Sequence, residues 1–103
     1  MNIVNLKDLK GFSKSEKVEA KKIPTGFSAQ CVNIVLQPGG TLPVHTTPVD
    51  VIFYVLRGSG IVEIGEEKKE VSEGMFIESP RNIFHGWSNH VEEELSVLVI
   101  KLM

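Results

Sequence analysis

An all-β sandwich or barrel is the fold class this chain predicts, on three observations. Apolar and polar residues alternate, or apolar residues run together, over segments of five to ten residues. Glycine, proline and asparagine clusters separate those segments at short, regular intervals. No segment keeps a helical apolar period for longer than two turns.

Taken in order, residues 5–10 (NLKDLK) make a short turn at most. KVEAKKI (17–23) alternates as a half-buried strand does, and Pro24-Thr25-Gly26 ends it. FSAQCVNIVL (27–36) is rich in β-formers and stops at Pro38-Gly39-Gly40. DVIFYVL (50–56) contains the apolar run Val51–Leu56 and leads into Gly58-Ser59-Gly60. Further strands are expected at 60–65, 69–78, 84–89 and 94–102, with Gly74 and Pro80-Arg81-Asn82 as turn chemistry between them. Alternation about Val51, Phe53 and Val55 puts those three on the inner face and Asp50, Ile52 and Tyr54 on the outer one. A chain of 103 residues supports one core, so residues 1–103 are expected to form a single domain. Within it, residues 1–26 are N-terminal strands or an arm, and 27–103 form the barrel.

Composition narrows the function classes. With 42% apolar and 23% charged residues the chain is globular, not disordered. The net charge is −2, and lysines are interleaved with acids, as in EEKKE (66–70), so no basic stripe suits nucleic acid. No apolar run approaches a membrane span, and MNIVNLKDLKG lacks the apolar core of a signal peptide. A cytoplasmic location is therefore expected. The lone Cys31 excludes an internal disulfide and a cysteine-based zinc cluster.

Two stretches share an outline of glycine, proline and histidine: residues 39–58 and 74–89. They resemble the paired motifs of the cupin superfamily, small antiparallel β-barrels of the jelly-roll type. The first motif, G-x5-H-x-H-x3-E-x6-G, is met by Gly39, His45 and Gly58. Thr47 stands where its second histidine belongs and Val51 where its glutamate belongs. The second, G-x5-P-x-G-x2-H-x3-N, is met by Gly74, Pro80, His85 and Asn89, with Asn82 in place of a glycine. The resemblance runs from about residue 30 to 102.

That resemblance implies a barrel site in which three histidines and a glutamate hold a divalent metal, with open positions for substrate. Such a site suits Fe, Mn, Ni, Cu or Zn. Here His45 and His85 are the two ligands retained. Asp50 and Glu78 are candidates for a third, although strand parity turns Asp50 outward unless a bulge near Pro48 re-aims it. Thr47, Val51, Phe53 and Trp87 are expected to line the cavity, Trp87 because it lies two residues beyond His85. Cys31 joins them if its strand faces inward. His90, Arg57 and the run Glu92–Glu94 are expected at the surface.

Replacement of two ligands by Thr47 and Val51 makes the cavity drier, which weakens a charged metal site and suits a neutral small molecule. Three readings follow. The first is a metal-dependent oxygenase, isomerase or decarboxylase; the second, a small-ligand binding or sensor module; the third, a metal-free structural dimer. The expected protein is a metal-binding cupin of undetermined activity, holding a divalent metal through His45 and His85 and a small organic molecule in the barrel; no catalytic residue is assigned, and no organic cofactor is implied. The apolar outer face of VIFYVL needs cover, so a homodimer is the expected assembly.

Overall fold

Ten antiparallel strands follow one another with no helix beyond a single 3-10 turn at Leu6–Asp8, in a computed structural model that describes residues 1–103. The strands are β1 (Phe12–Ser15), β2 (Val18–Ile23), β3 (Ala29–Leu36), β4 (Thr41–His45), β5 (Val51–Arg57), β6 (Ser59–Ile64), β7 (Glu67–Ser72), β8 (Phe76–Ser79), β9 (His85–Ser88) and β10 (Leu95–Leu102). Six form one sheet in the order β1-β2-β3-β10-β5-β8, and four form the other in the order β4-β9-β6-β7. The fold is the all-β jelly-roll barrel expected.

The larger sheet's inner face explains the barrel's shape. Period-two alternation points Val18, Ala20 and Lys22 of β2 inward, and the neighbouring strands follow in register. At one end Val18, Leu36 and Leu95 lie side by side. The next row is Ala20, Ile34, Val97 and Val55, all buried. The third is Lys22, Val32, Val99 and Phe53, and the last is Gln30, Lys101 and Val51. The two rows nearest Leu95 are wholly apolar, the third carries one polar side chain and the last two, so the barrel is packed shut at one end and open at the other. Leu36 and Leu95 at the closed end are fully buried, each stabilising the fold by about 1.5–3 kcal/mol. The smaller sheet closes the core with Val62, Val71 and Trp87.

Two turns show why the sequence folds as it does. Gly58 has φ +82°, and a Cβ there would lie 2.4 Å from the Glu94 carbonyl oxygen, so only glycine permits the β5–β6 hairpin. Asn82, at the position where the family motif has glycine, has φ +63°. Asparagine is among the few side chains that tolerate this left-handed conformation, so the turn survives the replacement.

Three expectations are corrected. The continuous strand over 69–78 is two strands in different sheets, β7 and β8, separated at Gly74 with φ +88°. β1 was not expected, because FSKS has too little apolar alternation to register. Nor was β4 given its own bounds, because Pro43 interrupts the pattern; His45 ends this strand. β1 and β2 extend the six-stranded sheet, so the N-terminal segment is a wall of the barrel.

Candidate functional site

His45 and His85 arrive at the open end from adjacent strands. They are cross-strand partners in the β4–β9 ladder, and their ring centroids lie 4.7 Å apart, edge to face. Alternation alone would not bring them together. Leu42 pairs with Trp87 and His45 with His85, so three steps along β4 match two along β9. The extra residue, at Pro43–Val44, is a bulge that turns both Leu42 and His45 into the barrel despite their odd separation. Gly86 makes room for it. A Cβ at Gly86 would meet the Leu42 carbonyl oxygen at 2.9 Å and the Val44 nitrogen at 3.1 Å. The bulge lies a few residues before Pro48 and re-aims a histidine, and Asp50 keeps the outward parity expected of it.

His85 is buried and held on both sides. Its Nδ1 is 2.7 Å from the Ser79 hydroxyl and its Nε2 is 3.1 Å from the Thr47 hydroxyl. A hydroxyl both donates and accepts, so a neutral imidazole is satisfied at both nitrogens. Ser79 reaches this position because it pairs with Val51, whose side chain faces inward. Thr47 is fixed by the next loop, where the Asn82 N–H donates to its carbonyl at 2.8 Å. Expected in the cavity wall, Thr47 is instead buried against His85, outside the lining. Burial lowers the His85 pKa to about 4, with smaller contributions from His45 and Lys101.

His45 is exposed at the mouth. Its Nδ1 lies 3.0 Å from the Pro43 carbonyl oxygen, an acceptor only, so Nδ1 donates and the neutral ring has its lone pair on Nε2. Val51, Phe53 and Trp87 line the cavity, and Phe53 stands edge-on to both His85 at 5.2 Å and Trp87 at 5.5 Å. Cys31 reaches the lining too, half-buried. The cavity measures about 800 Å³, the size of a drug-like ligand's pocket.

The candidate third ligands lie elsewhere. The Asp50 carboxylate is hydrogen-bonded by the Arg81 backbone N–H at 2.9 Å and by its guanidinium, which holds the Asp50 pKa below the usual carboxylate value. Glu78 pairs with Ile52 on the outer face and is exposed. Nowhere in the chain do three or more His, Cys, Asp or Glu side chains gather in a metal-holding group. At the open end two such side chains, His45 and His85, come together. His90 pairs with Glu70 and Arg57 with Glu94, both at the surface.

Sequence reasoning missed Ser79, Gly86 and the lysines at the open end. A signal for the lysines was present: Val18-x-Ala20-x-Lys22 and Leu95-x-Val97-x-Val99-x-Lys101 continue the inward alternation to a charged residue. Ser79 carried none, because β8 has only four residues and its register is set by β5.

Comparison with known proteins agrees with this fold. The cupin domain family matches residues 32–101. The chain belongs to the cupin family. A search of curated proteins finds no match to this cupin. Among solved structures, TT1209 of Thermus thermophilus is 30% identical with a TM-score of 0.81, over 99% of this chain and 97% of that one. A predicted oxalate decarboxylase of Thermotoga maritima superposes with a TM-score of 0.88 at 18% identity, over 99% of this chain and 100% of that one. The polyketide cyclase RemF of Streptomyces resistomycificus superposes with a TM-score of 0.86 at 22% identity, over 98% of this cupin and 78% of that chain. At 18% and 22% identity, the last two neighbours share the fold. No helix in this cupin is long and apolar enough to cross a membrane.

A pH prediction follows from His85. Its folded pKa of about 4 lies below the ordinary value of 6.5, so between these values the unfolded chain binds more protons than the folded one. Stability is full above pH 6.5, falls as the pH drops through this window, and loses nothing further from this group below pH 4. The full shift corresponds to a loss of about 3 kcal/mol at most. Urea unfolding at pH 7, 5.5 and 4 is expected to show the decline, and His85→Gln to flatten it; an equal slope in both proteins contradicts the assignment.

Proposed function

We propose that this cupin holds one small organic molecule in its barrel cavity, by apolar packing and imidazole hydrogen bonding, without a resident metal. The observation that supports this reading is His85 itself. Both of its ring nitrogens contact protein hydroxyls, from Thr47 and Ser79, where a metal ligand needs one nitrogen free for the ion. Thr47 occupies the family's second histidine position and Val51, buried in the core, its glutamate position. What remains is a cavity walled by Phe53, Trp87 and Val99, with His45 at its mouth. His45 Nε2 is available to accept a hydrogen bond or a proton from a bound molecule.

One observation favours the metal-dependent reading: two imidazoles 4.7 Å apart are near enough for both to reach one ion. Two neutral nitrogens with no carboxylate make a weak site for Fe, Mn, Ni, Cu or Zn.

Equilibrium dialysis with EDTA tests the proposal, with 2-naphthoate and 2-naphthamide as probes. At about 0.3 kcal/mol per non-hydrogen atom, a probe of about thirteen atoms gives a dissociation constant near 1 mM. At least one probe is expected to bind once per chain at that strength, and Gln30→Phe, which sets a ring in the mouth from an exposed position, to abolish binding. Binding that requires an added divalent metal, or that survives Gln30→Phe, contradicts it.

We also propose that the protein pairs as a homodimer through the outer face of the larger sheet. Cross-strand neighbours there are apolar: Phe76 beside Tyr54, Tyr54 beside Leu98, and Ile52 beside Ile100. Phe76 is 59% and Tyr54 37% exposed in the single chain, and pairing would cover both. Sedimentation at micromolar concentration is expected to give twice the 11.4 kDa chain mass, and Phe76→Glu to give the monomer. A monomer in the wild type contradicts pairing.

A further inference from the structure

The charges around the cavity are all of one sign. Lys14, Lys22 and Lys101 reach its lining beside the two histidines, and no aspartate or glutamate does. Chain composition does not explain this, since 13 acidic residues outnumber 11 basic ones. The lysines are also unpaired. The four ion pairs of the molecule use Arg57, Lys68, Arg81 and His90, none of which lines the cavity.

An unpaired lysine on an outer face is ordinary, because it is solvated there. Lys22 and Lys101 have a different position. They end the inward columns Val18-Ala20-Lys22 and Leu95-Val97-Val99-Lys101, one row apart at the open end of the same inner face. Two ammonium groups thus stand above a wall of Phe53, Val99 and Trp87, with Gln30 beside Lys101 as a neutral hydrogen-bonding group. Below them His85 is neutral at pH 7 and adds no charge of its own.

We propose that the molecule this cavity takes is an organic anion: a carboxylate carried on a flat apolar body. The body packs against Phe53 and Trp87, and the carboxylate sits at the rim between Lys22 and Lys101. This inference rests on the reading that the cavity holds a small organic molecule, and it adds the charge and shape of that molecule. Unpaired lysines at the rim raise the local concentration of anions and attract them into an apolar space where water screens poorly.

The test compares 2-naphthoate with 2-naphthamide by calorimetry at low ionic strength. The two share a ring system and size and differ in charge. The carboxylate is expected to bind about tenfold tighter or better, a preference that shrinks in about 0.5 M NaCl. The double variant Lys22→Gln/Lys101→Gln is expected to remove the preference and to leave amide binding within about twofold of wild type. Both positions retain some exposure, so the fold tolerates the substitutions. Amide binding as tight as carboxylate binding, or a preference that survives the double variant, overturns the inference while the cavity reading stands. Binding of neither probe overturns both.

Discussion

The open end of the barrel depends on one close approach, that of β4 to the backbone of Gly86. The bulged strand comes within 3 Å of where a side chain would begin, and only hydrogen fits there. Without that approach Leu42 and His45 could not both face inward, and the histidine pair would not form. Everything at the mouth follows: His45 over His85, the edge-on contacts of Phe53, and the cavity behind them. The bulge lies next to the site, as bulges that re-aim a side chain commonly do.

On the reading proposed above, the barrel keeps the family's frame with a different chemistry at the site. Threonine is shorter than histidine, and in this chain Thr47 turns its hydroxyl onto His85 in place of a second imidazole. Ser79 holds the opposite nitrogen, so the ring is oriented from two sides without an ion. Burial then keeps the imidazole neutral. The result is a satisfied polar group at the inner end of an apolar cavity, with unpaired ammonium groups at the outer end. Such a gradient suits a molecule that is apolar at one end and anionic at the other.

Much of this was legible in the residues. The family resemblance carried by Gly39, His45, Gly58, Gly74, Pro80, His85 and Asn89 implied both the jelly roll and the histidine pair, because that fold brings the two stretches onto adjoining strands. Alternation placed Val51 and Phe53 inward and Asp50 outward, and Arg81 completes the reason Asp50 stays there. Other features were hidden for identifiable reasons. The bulge breaks the period that would reveal it, Pro43 masks β4, and Ser79 owes its position to pairing with a distant strand. Lys22 and Lys101 were visible in the alternation, but charged residues ending apolar columns read as solvated tips until the columns are seen to share one open end.

The central claim is that His85 is a hydrogen-bonded, neutral imidazole in place of a metal ligand. Long-range proton–nitrogen correlation spectra of the histidine rings at pH 7, recorded before and after one equivalent of Zn²⁺, test it most directly. The account predicts a neutral His85 whose two nitrogen shifts stay where they are when zinc is added. A move of one nitrogen of both His85 and His45 to metal-bound values at one zinc per chain would contradict it.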